Sequence, residues 1–184
     1  NLMLGWLAIF FAFKFSFKIS IYCILFASIF DYLDGFFARK LNVESKLGAQ
    51  LDSLADFITF GVAPAVIIFN LSISEEIFSE PNFDLLLFLN IGLIPLFAAL
   101  RLAKFNSTTT QKSHFIGLPS PAFALSAVAI TLVLMEYQLD DYKIYYPFTM
   151  ILLSSLMVVK VKFLSFKISN FNIADNKLIF ILTF

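Results

Sequence analysis

The stretch DYLDGFFARKLNVESKLGAQLDSLAD, residues 31–56, places four carboxylates in a chain that is otherwise strongly apolar. We predict two helices joined by a short polar turn, with the acids at helical spacing on one face of each helix. Closing this hairpin would bring the four together: Asp31, Asp34, Asp52 and Asp56. Carboxylates that close repel one another, so the pattern predicts a site for hard divalent cations such as Mg²⁺, which are ligated by oxygen.

Small residues share the two acidic faces. Gly35 and Ala38 follow Asp31 by one and two helical turns, and Gly48 precedes Asp52 by one turn. They leave room for a flat or bulky ligand beside the cations. The alternative is a pair of amphipathic helices with solvated acids, but the flanking sequence is too apolar for a solvated face.

Composition places the chain in a membrane. Of its 184 residues 60% are hydrophobic, whereas soluble domains are about 45–50% apolar. The length suggests one domain, and the net charge of zero gives no electrostatic case for binding nucleic acid. Cys23 and His114 are the only residues of their types, which excludes an internal disulfide and argues against cysteine- or histidine-based metal sites.

The fold class predicted is all-α, a polytopic integral membrane bundle of about six transmembrane helices. A helix needs about 20 apolar residues to cross the bilayer core. The predicted spans are Asn1–Phe13, Ile19–Ala38, Leu47–Asn70, Phe83–Leu100, Pro119–Gln138 and Ile144–Val159, with a partial seventh near Lys177.

The sequence starts and stops inside apolar runs, so we expect it to be part of a longer protein. Gly61 and Pro64 lie inside the third span, where such residues mark a bend or close packing.

Charges alternate between the connections. Those after the second, fourth and sixth spans are basic: Arg39, Lys40, Lys46, Arg101, Lys104, Lys112, Lys160, Lys162 and Lys167. The opposite connections are mainly acidic. By the positive-inside rule the basic side is cytoplasmic, and the acidic hairpin turns on that side. We therefore expect a site that faces the cytoplasm near the headgroup level.

The hairpin resembles a family signature. The pattern D-x2-D-G-x2-A-R-x8-G-x3-D-x3-D is typical of the CDP-alcohol phosphotransferases, and all eight fixed positions are filled here. Within that family the segments LDSLADFITFGVAPA, RLAKFN and FIGLPSP are similar to the multi-spanning phosphatidylserine synthases of bacteria and archaea. The resemblance covers roughly residues 1–167, which we interpret as the transmembrane domain; residues 168–184 would form a C-terminal segment.

The resemblance implies that CDP-diacylglycerol and L-serine react to give phosphatidylserine and CMP. One or two Mg²⁺ or Mn²⁺ ions would be held by Asp31, Asp34, Asp52 and Asp56, and Asp56 would be the general base. The residues expected against the cytidine diphosphate are Asp31, Asp34, Gly35, Ala38, Arg39, Gly48 and Asp52. Arg101 and Lys104 lie one turn apart and could face the same anion, so we expect them, with Lys112 behind, to bind the serine carboxylate.

Two alternatives stay open. One is a sister enzyme that uses glycerol 3-phosphate or inositol phosphate, acceptors that would favour more arginine in the pocket. The other is a cation-coupled transporter, because acids within a membrane often mark ion pathways. For the main interpretation we expect membrane lipids as partners, with a bacterial inner or cell membrane as the location. A homodimer is a candidate assembly.

Overall fold

A computed structural model describes residues 1–41, 45–73, 81–107, 115–139, 145–159 and 162–163. Nearly all of them are helical, which confirms the predicted fold class. The helices are α1 Leu2–Phe13, α2 Phe17–Leu41, α3 Lys46–Asp56, π1 Phe57–Val62, α4 Ala63–Ile73, α5 Pro81–Ile91, α6 Leu93–Ser107, α7 Ser120–Glu136 and α8 Tyr146–Ser155. The strands are β1 Phe115–Ile116 and β2 Lys162–Phe163.

The helices follow the predicted spans, with one difference in continuity. The third span is one rod built from α3, π1 and α4, whereas the fourth is broken at Gly92 into α5 and α6. Within the described part of the chain, three stretches are long and apolar enough to cross a membrane: Phe17–Ala38, Leu47–Ile73 and Leu85–Ser107. The predicted seventh span near Lys177 lies outside the described residues.

The strand pair was not predicted. β1 and β2 are antiparallel and only two residues long each, so they carry no periodic sequence signal. Gly117 follows β1 with a φ of 85°, a conformation that side chains disfavour. A Cβ there would also strike the carbonyl group of Met157. The next residue, Leu118, donates its N–H to the carbonyl oxygen of Leu156 at 3.0 Å, which joins the start of α7 to the end of α8.

Small residues let α1 lie close to its neighbours. Ala8 and Ala12 are fully buried, and α1 packs against α2, α4 and π1. The hydroxyl of Ser20 on α2 donates to the carbonyl oxygen of Ala8 at 2.6 Å, inside the packed interface. Such a bond satisfies a polar group that would otherwise be buried alone. The first two helices are therefore a firmly joined hairpin.

A π-helical turn follows the last acidic residue directly. Pro64 has no amide N–H and its ring crowds the carbonyl of Phe60, so the backbone widens in the turn before it. This turn buries Thr59 and Gly61. A Cβ on Gly61 would lie 3.0 Å from the Cβ of Ala98 on α6, so the predicted close packing at this glycine is confirmed.

The outside of the bundle is apolar. Large hydrophobic side chains are exposed along α1, α2, α5 and α8, among them Trp6, Phe26, Phe88 and Leu152. So many exposed apolar side chains, on helices long enough to cross a bilayer, are typical of contact with a membrane. The protein is therefore a membrane protein whose outer face meets lipid.

The first prediction concerns the contact of α1 with π1. Gly5 is buried, and a Cβ there would lie 2.9 Å from the Cα of Thr59, which is backbone and cannot swing aside. We expect Gly5→Ala to lower the free energy of unfolding by about 1–3 kcal/mol, the usual cost of overpacking. Cys23 is buried and is the only cysteine, so its reaction with a thiol-specific dye during heating measures the loss of packing.

Gly92→Ala is the matched control for that measurement. Gly92 lies in the exposed break between α5 and α6, where an added Cβ would come no closer than 3.2 Å to the Leu89 carbonyl oxygen. We expect a much smaller change in its thermal midpoint. Equal midpoints for the two variants would show that the contact between α1 and π1 does not limit stability.

Candidate active site

Three of the predicted carboxylates, one from α2 and two from α3, come together in the structure. Asp31, Asp52 and Asp56 each offer one oxygen, and these oxygens all lie within 4.8 Å of one another. Asp31 and Asp56 are half-buried, whereas Asp52 is exposed. The spacing of four residues between Asp52 and Asp56 puts both on one face of α3, as predicted.

A capping residue orders the start of α3. Ser45 has an extended backbone, and its side-chain oxygen accepts the N–H of Gly48 at 3.0 Å. Serine is a favoured residue for this role because it satisfies an amide that the first turn leaves free. The cap fixes where α3 begins and hence which face carries Asp52 and Asp56.

The fourth predicted acid has a different environment. Asp34 is exposed and is not part of the close group, although its charge acts on both Asp31 and Asp52. Gly35 and Ala38 are half-buried on the same helix, and Gly48 is exposed on α3. Arg39 belongs to α2, but its side chain lies outside what the structure describes.

Asn1 contributes a contact that the sequence analysis missed. Its side-chain Nδ2 donates to Asp56 Oδ1 at 3.0 Å and to Asp31 Oδ1 at 3.3 Å. The backbone oxygen of Asn1 also accepts the hydroxyl of Thr59 at 3.4 Å. The sequence did contain a signal for this contact. In NLMLGWLAIFFAF, Asn1 is a polar residue placed directly before an apolar helix.

Arg101 lies on the inner side of α6, close to the carboxylates. It is half-buried, its Nη1 donates to the hydroxyl of Ser120 at 3.0 Å, and the charge of Asp56 acts on it. Its Nε is buried and has no hydrogen-bond partner within the described residues. Lys104, one turn further on, is exposed. The structure thus brings Arg101 near the carboxylates, while Lys112 lies outside the described residues.

A separate cavity of about 460 Å³ lies between α3 and α6. Its lining is mainly apolar, and its polar residues are Gln50, Ser53 and Asn106. Ser53 and Asn106 bond to each other: Nδ2 of Asn106 donates to the serine oxygen at 3.0 Å. Ser53 directly follows Asp52, so it lies about 100° further round α3. This cavity is therefore beside the carboxylates and does not include them.

The three gathered carboxylates have the chemistry of a cation site. All the ligand atoms are carboxylate oxygens, which suit hard divalent ions such as Mg²⁺ and Mn²⁺. Negative charges held this close in a half-buried place are unfavourable unless something positive or hydrogen-bonding opposes them. Asp31, Asp52 and Asp56 could therefore hold a divalent metal together.

Comparison with known proteins finds one family throughout, in both the family model and the similar proteins. The family model for CDP-alcohol phosphatidyltransferase matches residues 1–164. A Helicobacter pylori protein named CDP-diacylglycerol–serine O-phosphatidyltransferase is 35% identical over 178 residues, covering 94% of this chain and 72% of its own. A Bacillus subtilis protein of the same name is 38% identical over 141 residues, covering 74% of this chain and 70% of its own.

A third relative comes from an archaeon. The protein of that name from Methanocaldococcus jannaschii is 38% identical over 136 residues, covering 73% of this chain and 58% of its own. The family model spans the α2–α3 hairpin with its acidic residues. The chain belongs to the CDP-alcohol phosphatidyltransferase family.

Proposed function

We propose that this protein transfers the phosphatidyl group of CDP-diacylglycerol to the hydroxyl of L-serine, giving phosphatidylserine and CMP. The observation that carries the reaction class is the gathering of Asp31, Asp52 and Asp56, three acids of the family signature, within 4.8 Å. The choice of serine is supported by the names of the relatives. Residues 1–167 would form the catalytic domain.

The carboxylates are assigned to cation binding. Asp31, Asp52 and Asp56 would hold Mg²⁺ or Mn²⁺, and the exposed Asp34 would complete the site at its outer edge. When bound, such an ion reduces the charge repulsion of the substrate pyrophosphate and stabilises the phosphate of the departing CMP. All three side chains of this group offer carboxylate oxygens, and this favours a hard divalent cation.

The cytidine diphosphate would lie along the small residues beside the acids. Gly35 and Ala38 on α2 and Gly48 on α3 have little or no side chain to block it. Asp31, Asp34 and Asp52 would face its phosphates with the cation between them. Arg39 would contact phosphate from the end of α2, since a guanidinium matches the geometry of phosphate oxygens.

Asp56 would act as the general base. In the proposed step the serine hydroxyl oxygen bonds to the phosphorus that carries diacylglycerol, the bridging P–O bond to CMP breaks, and the hydroxyl proton passes to Asp56. No covalent intermediate with the protein is needed. Asp56 lies one turn deeper along α3 than Asp52, which would place it away from the mouth of the site.

The serine carboxylate would bind Arg101. This guanidinium is near Asp56, and its Nε has no partner within the described residues, so an N–H donor is left for an anion. Ser120 holds the opposite end of the guanidinium at Nη1 and so orients it. Lys104 and Lys112 are proposed as further cations of this pocket.

The site would face the cytoplasm of a bacterial cell. The basic connections predict that the α2–α3 turn and the end of α6 share the cytoplasmic side. Soluble serine and CMP can reach that face directly, while the acyl chains of the substrate remain in the bilayer. A homodimer is retained as a candidate assembly.

The acceptor is tested by CMP release from CDP-diacylglycerol in mixed micelles. We expect release with L-serine in the presence of Mg²⁺ or Mn²⁺, little with glycerol 3-phosphate or inositol phosphate, and none after EDTA treatment. The reason is that the pocket offers Arg101 for a carboxylate and the acid cluster for a cation. Faster release with a phosphorylated acceptor would reassign the protein to the sister activity, and full turnover in excess EDTA would remove the cation from the proposal.

The base role predicts a defect of Asp56→Asn in turnover more than in binding. Asparagine keeps the size and one oxygen but cannot take a proton. We expect kcat to fall about 10²–10⁴-fold, the usual contribution of a positioned acid or base. Single-turnover CMP release and titration with CDP-diacylglycerol measure the two effects separately. A variant that turns over at nearly the wild-type rate across a pH series would leave proton removal to water or to the serine amine.

The acceptor pocket predicts a selective loss in Arg101→Ala. A charged hydrogen bond contributes about 1.5–3 kcal/mol, so we expect the KM of serine to rise on the order of 10–100-fold. The KM of CDP-diacylglycerol should change far less. Lys104→Ala removes the proposed further cation one turn away, and we expect it to raise the KM of serine as well. If neither variant changes the KM of serine, these cations only anchor α6 at the membrane edge.

A further inference from the structure

We propose that Asn1 is a positioning residue, whose side-chain amide holds the carboxylates of Asp31 and Asp56 in the arrangement that binds the divalent cation. The inference rests on the proposed function, since it concerns the same cation site. It adds a residue that lies immediately before α1, outside the acidic hairpin, and that no sequence signature of the hairpin contains.

The first argument is the pair of contacts made by one nitrogen. Nδ2 of Asn1 carries two N–H groups, and it lies 3.0 Å from Asp56 Oδ1 and 3.3 Å from Asp31 Oδ1. Asp31 is on α2 and Asp56 is at the end of α3. A single amide therefore bridges two helices at the point where their negative charges approach each other.

The second argument concerns the orientation of the amide. Its other end, Oδ1 of Asn1, is buried and has no hydrogen-bond partner within the described residues. A buried acceptor without a partner is unfavourable. Turning the amide over would be worse, because Oδ1 would then face two carboxylate oxygens. The two acids thus dictate how the asparagine is placed, and the contact with them outweighs the loss at Oδ1.

The third argument is the way the backbone of Asn1 is fixed. Its carbonyl oxygen accepts the hydroxyl of Thr59, which is fully buried in π1 only three residues after Asp56. Gly5 lets α1 lie directly against Thr59. The segment that carries Asp56 therefore also holds the backbone of Asn1, so the amide and this carboxylate keep their relative position.

Cation binding remains open with the amide in place. A carboxylate has two oxygens and about four lone-pair sites, and Asn1 uses only Oδ1 of each acid. The remaining oxygen of each acid, together with Asp52, stays available to the ion. Hydrogen bonds of this kind fix the rotation of ligating carboxylates, and their loss typically weakens metal binding by about 10–100-fold.

The test is Mn²⁺ binding by purified protein in detergent, without lipid substrate, followed by the electron paramagnetic resonance signal of free Mn²⁺. We expect Asn1→Ala to raise the Kd of Mn²⁺ by roughly 10–100-fold. Asn1→Leu keeps the volume of the side chain while removing both donors, and we expect the same shift. The two variants together guard against a loss that is due only to a cavity or to poor folding.

Asn70→Ala is the matched control. Asn70 is also a buried asparagine whose Nδ2 has no partner within the described residues, but it lies on α4, fourteen residues beyond Asp56 and so about 20 Å along the rod. We expect its Kd for Mn²⁺ to equal that of the wild type.

Excess Mn²⁺ should also return the kcat of Asn1→Leu to within several-fold of the wild-type value.

Two results would overturn the proposal. One is a Kd for Mn²⁺ in both Asn1 variants within about threefold of the wild-type value. The other is a loss of kcat/KM for serine that persists at saturating Mn²⁺ whatever the Kd, which would make Asn1 a contact of the acceptor. A wild-type protein that binds no Mn²⁺ would instead refute the proposed cation site itself, so the two failures are distinguishable.

Discussion

The rest of this structure depends on holding three carboxyl groups together in an otherwise apolar helix bundle. Asp31, Asp52 and Asp56 repel one another, and two of them are half-buried, where water screens that repulsion poorly. The acids occupy two different helices, so repulsion acts to separate α2 from α3. The packing of the other helices must therefore oppose that separation.

Close packing by small residues supplies much of this resistance. Ala8 and Ala12 are fully buried on α1, which packs against α2, and Gly5 lets the same helix lie against Thr59 of π1. On the other side of the rod, Gly61 lies against Ala98 of α6. In lipid, helices associate largely through such van der Waals contact, because the lipid chains are as apolar as the side chains. The rod from α3 to α4 is thus held from two sides at the turn that follows Asp56.

Polar contacts then connect the acids to helices that carry none of them. Asn1 contacts them from its position just before α1. Arg101 on α6 lies near Asp56 and donates to Ser120 at the start of α7. Residues on or next to five helices therefore contribute to one small region, although only α2 and α3 carry its acids. Such partners fix the rotamers of the functional side chains, and that precision is what a phosphoryl-transfer site requires.

The sequence alone determined the membrane class, the helical spans and the acidic faces of α2 and α3. These features follow from composition and from spacing within one helix, which are local properties. Only the tertiary structure decided that Asp34 lies outside the close group, that Asn1 bridges Asp31 and Asp56, and that Arg101 is held by Ser120. These contacts join residues 19–55 positions apart, and their geometry depends on how the helices pack, including the π-helical turn before Pro64, which helical periodicity does not encode.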